Sequence, residues 1–171
     1  MIDETVLQRV LTAATRGGAE FAEVFAEDKR SSSAVLDDGK VEELTSGRDR
    51  GAGIRVVVGE STGFAHTADL SEASLIATAE IAAAAARGNG SGSRHVALSR
   101  SSAARPNVIE LLPGDVPKAR KVELLTRAND VARSQGASIT QVMARYSDSR
   151  RRILVANTDG TLGEDDQVKT V

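Results

Sequence analysis

Apolar residues recur at helical spacing in three stretches of this chain and alternate with polar ones through much of the rest. Residues 3–16 place Val6, Leu7, Val10, Leu11 and Ala14 on one face, with Asp3 positioned to cap the start and Gly17-Gly18 to stop it. Residues 70–87 follow Asp69, and Glu72 three positions on resembles a capping box. Leu75, Ile76, Ala79 and Ala83 form their stripe, and Gly88 ends it. Residues 116–135 begin near Asp115 and Pro117, carry Val122, Leu125, Ala128, Val131 and Ala132, and end at Gly136.

The remaining pattern predicts strands over 21–26, 32–36, 41–44, 53–58, 64–67, 139–146 and 152–156, with a ragged end over 167–171. Asp38-Gly39 and Asp159-Gly160 are two-residue hairpin signals. Gly88 to Ser93 reads as a flexible loop. The segment 99–117, with Pro106, Pro113 and Pro117, reads as an irregular connection pinned by Val108, Ile109 and Leu111. The whole is expected to be one domain over 1–171, with a loop-rich connection over 88–117.

Residues 18–26 (GAEFAEVFA) align with residues 136–144 (GASITQVMA). Both follow an amphipathic helix, and both run into a second strand and an x-Asp-Gly turn. Either this is a repeated helix–strand–turn–strand unit or a chance likeness of two Ala/Val-rich strands. A repeat would give one mostly antiparallel sheet with about three helices on one face, an α+β fold.

Composition narrows the picture. A chain of 171 residues buries roughly 70% of its unfolded surface and needs no metal or disulfide to fold. It holds three Phe, one Tyr and no Trp, so the core must be built from Val, Leu, Ile and Ala. So few aromatic rings argue against single-stranded nucleic-acid binding. The net charge of −2 offers no field for DNA or an anionic membrane. Arg150-Arg151-Arg152 is the one basic run and reads as a solvated strand edge. The absence of cysteine excludes thiolate metal sites and disulfides and fits a reducing compartment. No apolar run approaches the ~20 residues of a membrane span, and the N-terminus is not a signal peptide. A cytoplasmic protein is expected.

Gly59-Glu60-Ser61-Thr62-Gly63 matches the G-x-S-x-G nucleophile elbow, which makes Ser61 a candidate catalytic serine. An elbow needs a helix immediately after its turn, but Phe64-Ala65-His66-Thr67 reads as strand. The chain's two histidines are His66, five residues on, and His95, which follows the glycine-rich loop. A glycine-bracketed hairpin accounts better for the motif. Two histidines without cysteine or H-E-x-x-H make a poor zinc set. Asn157-Thr158-Asp159-Gly160 lacks the spaced carboxylates of a calcium loop. Gly51-Ala52-Gly53 is too short for a dinucleotide fingerprint and more plainly lets a strand bend or another backbone approach. The pairs Asp37-Asp38 and Glu42-Glu43 and the run Glu164-Asp165-Asp166 read as solvated decoration. From the residues alone, no catalytic, cofactor-binding or metal-binding position is expected.

The composite pattern resembles the N-terminal half of the TldD/PmbA family, described as modulators of DNA gyrase and zinc-dependent peptidases. The matching elements are the opening helix, Gly18-Ala19-Glu20 with Phe21 to Ala26, and Leu36 to Glu43. Gly51-Ala52-Gly53-Ile54-Arg55, Gly59-Glu60 with Thr62-Gly63-Phe64-Ala65, and Asp69-Leu70-Ser71 follow in order. Ile153-Leu154-Val155-Ala156 with Thr158-Asp159-Gly160-Thr161-Leu162 looks more like the TldD branch than the PmbA branch. In the family, zinc is held by an H-E-x-x-x-H helix in the C-terminal half, and this chain contains none. The resemblance therefore implies an excised or truncated N-terminal domain, inactive alone, with zinc expected in the missing half. It also implies a domain that encloses a peptide path and supports a homodimer, or a heterodimer with a related subunit. The substrate class would be small or unfolded peptides. An exposed strand edge could take such a peptide by β-augmentation, tested by proline at Val57. The alternatives are a stand-alone protein-interaction module and a serine hydrolase using Ser61.

Overall fold

The computed structural model describes residues 1–86, 96–101 and 109–171. The expected loop at Gly88 to Ser93, the Gly88 stop, His95, Pro106 and Val108 lie outside the described residues. The chain is α+β: α1 (Glu4–Thr15), β1 (Phe21–Asp37), β2 (Lys40–Val58), β3 (Ser61–Thr67), α2 (Glu72–Ala85), β4 (Ser99–Ser101), a 3-10 turn (Pro113–Asp115), α3 (Lys118–Arg133), β5 (Met143–Asn157) and β6 (Thr161–Thr170). The strands form one sheet in the order β3-β2-β1-β5-β6-β4.

Strands are fewer and longer than the alternation predicts. The segments 21–26 and 32–36 are one strand, as are 41–44 and 53–58. Polar intervening residues such as Ser46 to Arg50 carry no period-two signal, yet their backbone continues the ladder. Residues 139–142 stay outside β5, which instead runs unbroken from Met143 through the arginine run. That run is thus in a strand flanked by β1 and β6, not at an edge. The ragged end expected over 167–171 is mostly the C-terminal part of β6. Leu111, expected to pin its segment, is exposed, while Pro113 beside it is buried.

The turns follow local chemistry. Asp38 and Gly39 have φ of 48° and 78°, the pair of positive values that a two-residue type I′ hairpin needs. The second hairpin differs from expectation: its loop has three residues, Thr158-Asp159-Gly160. Only Gly160 is left-handed (φ 89°), and Asn157 Oδ1 accepts the amides of Asp159 and Thr161. At the β1–β5 seam, Thr158 donates its amide to the Ala22 carbonyl, and Asp38 donates its amide to the Val142 carbonyl.

The chain divides into two compact units, one from 1–28, the described part of 49–101 and 152–166, the other from 29–48, 109–151 and 167–171. The first unit holds the larger core: Leu7, Val10 and Leu11 of α1, Ala22, Val24 and Ala26 of β1, Ile54 and Val56 of β2, Leu75, Ala79 and Ala82 of α2, and Leu154 of β5. It is wholly aliphatic, as composition demands. Each fully buried Leu or Ile contributes about 1.5–3 kcal/mol. Asp3 caps α1, its Oδ1 accepting the Thr5 amide at 2.8 Å. The cap of α2 is Ser71, not Asp69. Asp69, two residues ahead of the cap, instead accepts from the Ser71 amide and hydroxyl.

In the second unit α3 packs Leu125 on Ala34 and Leu36 of β1 and on Ala144 and Tyr146 of β5. Its buried face is Lys121, Leu125 and Asn129, which shares only Leu125 with the expected stripe, and Val131 is 57% exposed. The cause is polar: the strands beneath offer partners to a lysine.

Candidate functional site

Ser61 opens β3, directly opposite Val58 of β2, and Thr62 faces Val57. The connection is the two-residue turn Gly59-Glu60, with Gly59 at φ 55°. The helix an elbow requires does not begin until Glu72. Ser61 is exposed, and among the described residues no base is recorded against it. His66, on the same strand, stacks on Phe64 at 6.1 Å between ring centroids. The turn therefore lacks the strand–turn–helix geometry of a nucleophile elbow.

What the motif's second glycine does is packing. A Cβ at Gly63 would lie 1.9 Å from the Ala82 carbonyl oxygen and 2.5 Å from the Ala86 nitrogen. Real side chains never approach backbone so closely, so Gly63 lets α2 sit directly on β3. Gly51 and Gly53 serve similarly. A Cβ at Gly51 would meet the Thr67 carbonyl at 2.9 Å, and one at Gly53 would meet the Phe64 ring at 2.9 Å.

The strongest polar constellation lies in the second unit, at residues the sequence pattern did not single out. The Lys121 ammonium donates to Asp148 Oδ2 at 2.6 Å and to Ser32 Oγ at 2.9 Å, and Ser32 Oγ donates to the same carboxylate oxygen at 2.7 Å. Lys121 also lies 5.5 Å from the centre of the Tyr146 ring. Both charged side chains are withdrawn from solvent, at 6% and 7% exposure. Burial pushes the Asp148 carboxyl up. Hydrogen bonds from Lys121, Ser32 and Tyr146, with the ammonium's charge, outweigh it and leave the group below the usual carboxylate range. Burial first, then Asp148, raises the Tyr146 phenol.

A serine beside a lysine can be a nucleophile and its base. Here the ammonium is held by a carboxylate and the serine hydroxyl is spent on that same carboxylate. The cluster fixes α3 on β1 and β5. Its sequence signal was Lys121, Leu125 and Asn129 at i, i+4 and i+8, which competed with a more apolar stripe one position away.

Other charges are paired at the surface: Arg55 with Glu23 at 2.7 Å, Arg9 with Glu72 at 2.8 Å, and Asp38 with Arg133. Among the described residues no group of three or more His, Cys, Asp or Glu side chains could hold a metal. No helix among them is long and apolar enough to cross a membrane.

The class this defines is an α+β protein with a six-stranded, mostly antiparallel sheet. Residues 22–86 match the family model PmbA/TldA metallopeptidase domain 1, and residues 111–170 match the PmbA/TldA metallopeptidase central domain. Over 151 residues the chain is 33% identical to a metalloprotease TldD homologue of Haemophilus influenzae, covering 85% of this chain and 30% of that protein. It is 35% identical over 149 residues to a metalloprotease of Methanothermobacter thermautotrophicus, covering 85% and 31%. The chain thus spans about a third of the length of these relatives. TldE from Thermococcus kodakarensis superposes with a TM-score of 0.72 at 15% identity, over 96% of this chain and 37% of that one. A proposed modulator of DNA gyrase from Bacteroides thetaiotaomicron superposes at 0.75 and 17%, over 99% and 40%. The chain belongs to the PmbA/TldD metallopeptidase family and corresponds to the N-terminal part of that family.

Proposed function

We propose that this chain is the non-catalytic N-terminal portion of a TldD-like zinc metallopeptidase. In this reading it helps enclose the path of a small or unfolded peptide and supports dimerisation, with itself or with a related subunit. One observation carries the reading: the matched segments are the first and central domains of a metallopeptidase family, while the 171 residues contain no H-E-x-x-x-H. Zinc chemistry then belongs to another part of the polypeptide. This part offers backbone edges, hairpins and helix-backed strands. A cytoplasmic location is part of the proposal, and the cysteine-free composition suits it. Direct nucleic-acid contact is not part of it.

The test is to read the gene beyond Val171 and to assay both forms of the protein. An in-frame H-E-x-x-x-H is expected, with zinc-dependent hydrolysis of an unfolded peptide by the long form only. Stoichiometric zinc or peptide hydrolysis in the 171-residue chain would overturn the proposal. Sedimentation of the long form reads the dimer directly.

A further inference from the structure

Strand β3 ends the sheet on one side, and no strand among the described residues lies beyond it. Natural edges are guarded by charge, proline or bulges. Ser61–Thr67 has no Lys, Arg, Asp, Glu or Pro, and it runs in unbroken register with β2. Its Gly63 and Ala65 face α2, and its Phe64, 61% exposed, and His66 face the opposite side.

Helix α2 runs along β3, with Ser74 bonded to Thr67 at 2.9 Å and Ala82 seated on Gly63. The flank toward α1 is marked by Leu75 and Ala79 in the core and by Arg9–Glu72 and Arg16–Glu80. The other flank, at four-residue spacing, is Ala77, Ile81 and Ala85. All three are exposed, Ile81 by 61%. Among the described residues an uncharged shelf therefore rises beside a backbone edge that carries no guarding residue of its own.

We infer that this edge receives one extended peptide as an added strand. Alternate peptide side chains rest on Ile81 and its alanine neighbours, and the others lie beside Phe64 and His66. An edge's alternating N–H and C=O groups are matched by another extended backbone. The helix decides which one. Gly63 sets α2 directly over β3, so a two-fold copy pairing antiparallel through the same edge, one strand spacing of about 4.8 Å away, would bring two α2 axes about 5 Å apart. Packed helices need about 8–10 Å. A bare strand fits where a helix-backed strand in that antiparallel two-fold pairing does not. This inference rests on the peptide-handling reading above for the occupant's identity.

The probe is a fluorescein-labelled peptide of alternating Val and Ser, titrated by anisotropy against the 171-residue chain without zinc. The expected result is saturable binding, weakened about tenfold or more by Ile81→Lys. N-methylation of one alternate set of peptide amides should abolish binding, and N-methylation of the other set should spare it. Circular dichroism checks that Ile81→Lys folds. No saturable binding, binding indifferent to both changes, or a dimer dissolved by Ile81→Lys without peptide binding would each overturn it. None of these outcomes touches the zinc assay, so the two proposals fail separately.

Discussion

The ammonium of Lys121 lies 2.6 Å from Asp148 Oδ2, with both side chains almost wholly removed from water. Removing one partner of a buried pair strands the other charge, which costs more than the pair contributes. Lys121→Met should therefore destabilise the second unit by about 3–5 kcal/mol. Lys121→Met with Asp148→Asn should recover most of that loss. Tyr146 is the sole Tyr and the chain has no Trp, so urea melts followed by tyrosine emission report on this unit directly.

The same pair sets an acid limit. The folded Asp148 pKa lies below the ordinary 3.8, so its stabilisation is fully present above that value and is lost as pH falls through the folded value. Wild type should lose stability below pH 3.8 more steeply than Asp148→Asn does. At the alkaline end the raised Tyr146 pKa works oppositely. Stability it confers is intact below 10.0 and declines as pH rises through the folded value. Melts across pH with Tyr146→Phe as control test both signs.

Gly63→Ala should cost about 3 kcal/mol, the upper end for overpacking, because the new methyl meets helix backbone and no side chain can yield. Gly59→Ala, with nothing within 4 Å but a φ of 55°, should cost about 1–2 kcal/mol. Chemical denaturation of the two variants separates close approach from backbone conformation.

Ser61→Ala should change stability by no more than about 0.5 kcal/mol, as expected for an exposed hairpin position. Wild type should also remain unlabelled by a fluorophosphonate probe. Labelling that vanished in Ser61→Ala would revive the hydrolase alternative.

Ser71→Ala should cost about 1 kcal/mol through loss of the α2 cap. Asp69→Ala should cost less, because its carboxylate reaches Ser71 and not a helical amide. Thermal melts of the two variants decide which residue is the cap.

The sequence determined this protein's class, and local physics explains how. Helical spacing and Asp3 located α1 to within a residue. Asp38-Gly39 dictated a type I′ turn through its tolerance of positive φ. An aliphatic composition gave the first unit a core without rings, and all three Phe lie outside it. The ordered set of glycine and turn elements sufficed for the family. Tertiary structure decided what depends on partners distant in sequence. It joined polar segments into long strands, since ladder hydrogen bonds need no side-chain pattern. It turned α3 so that Lys121 meets Asp148 and Ser32, because a buried charge must find its counter-charge and no periodicity announces where that lies. It also gave Gly63 its role, which exists only because the backbone of α2, some twenty residues on, passes too close for a Cβ.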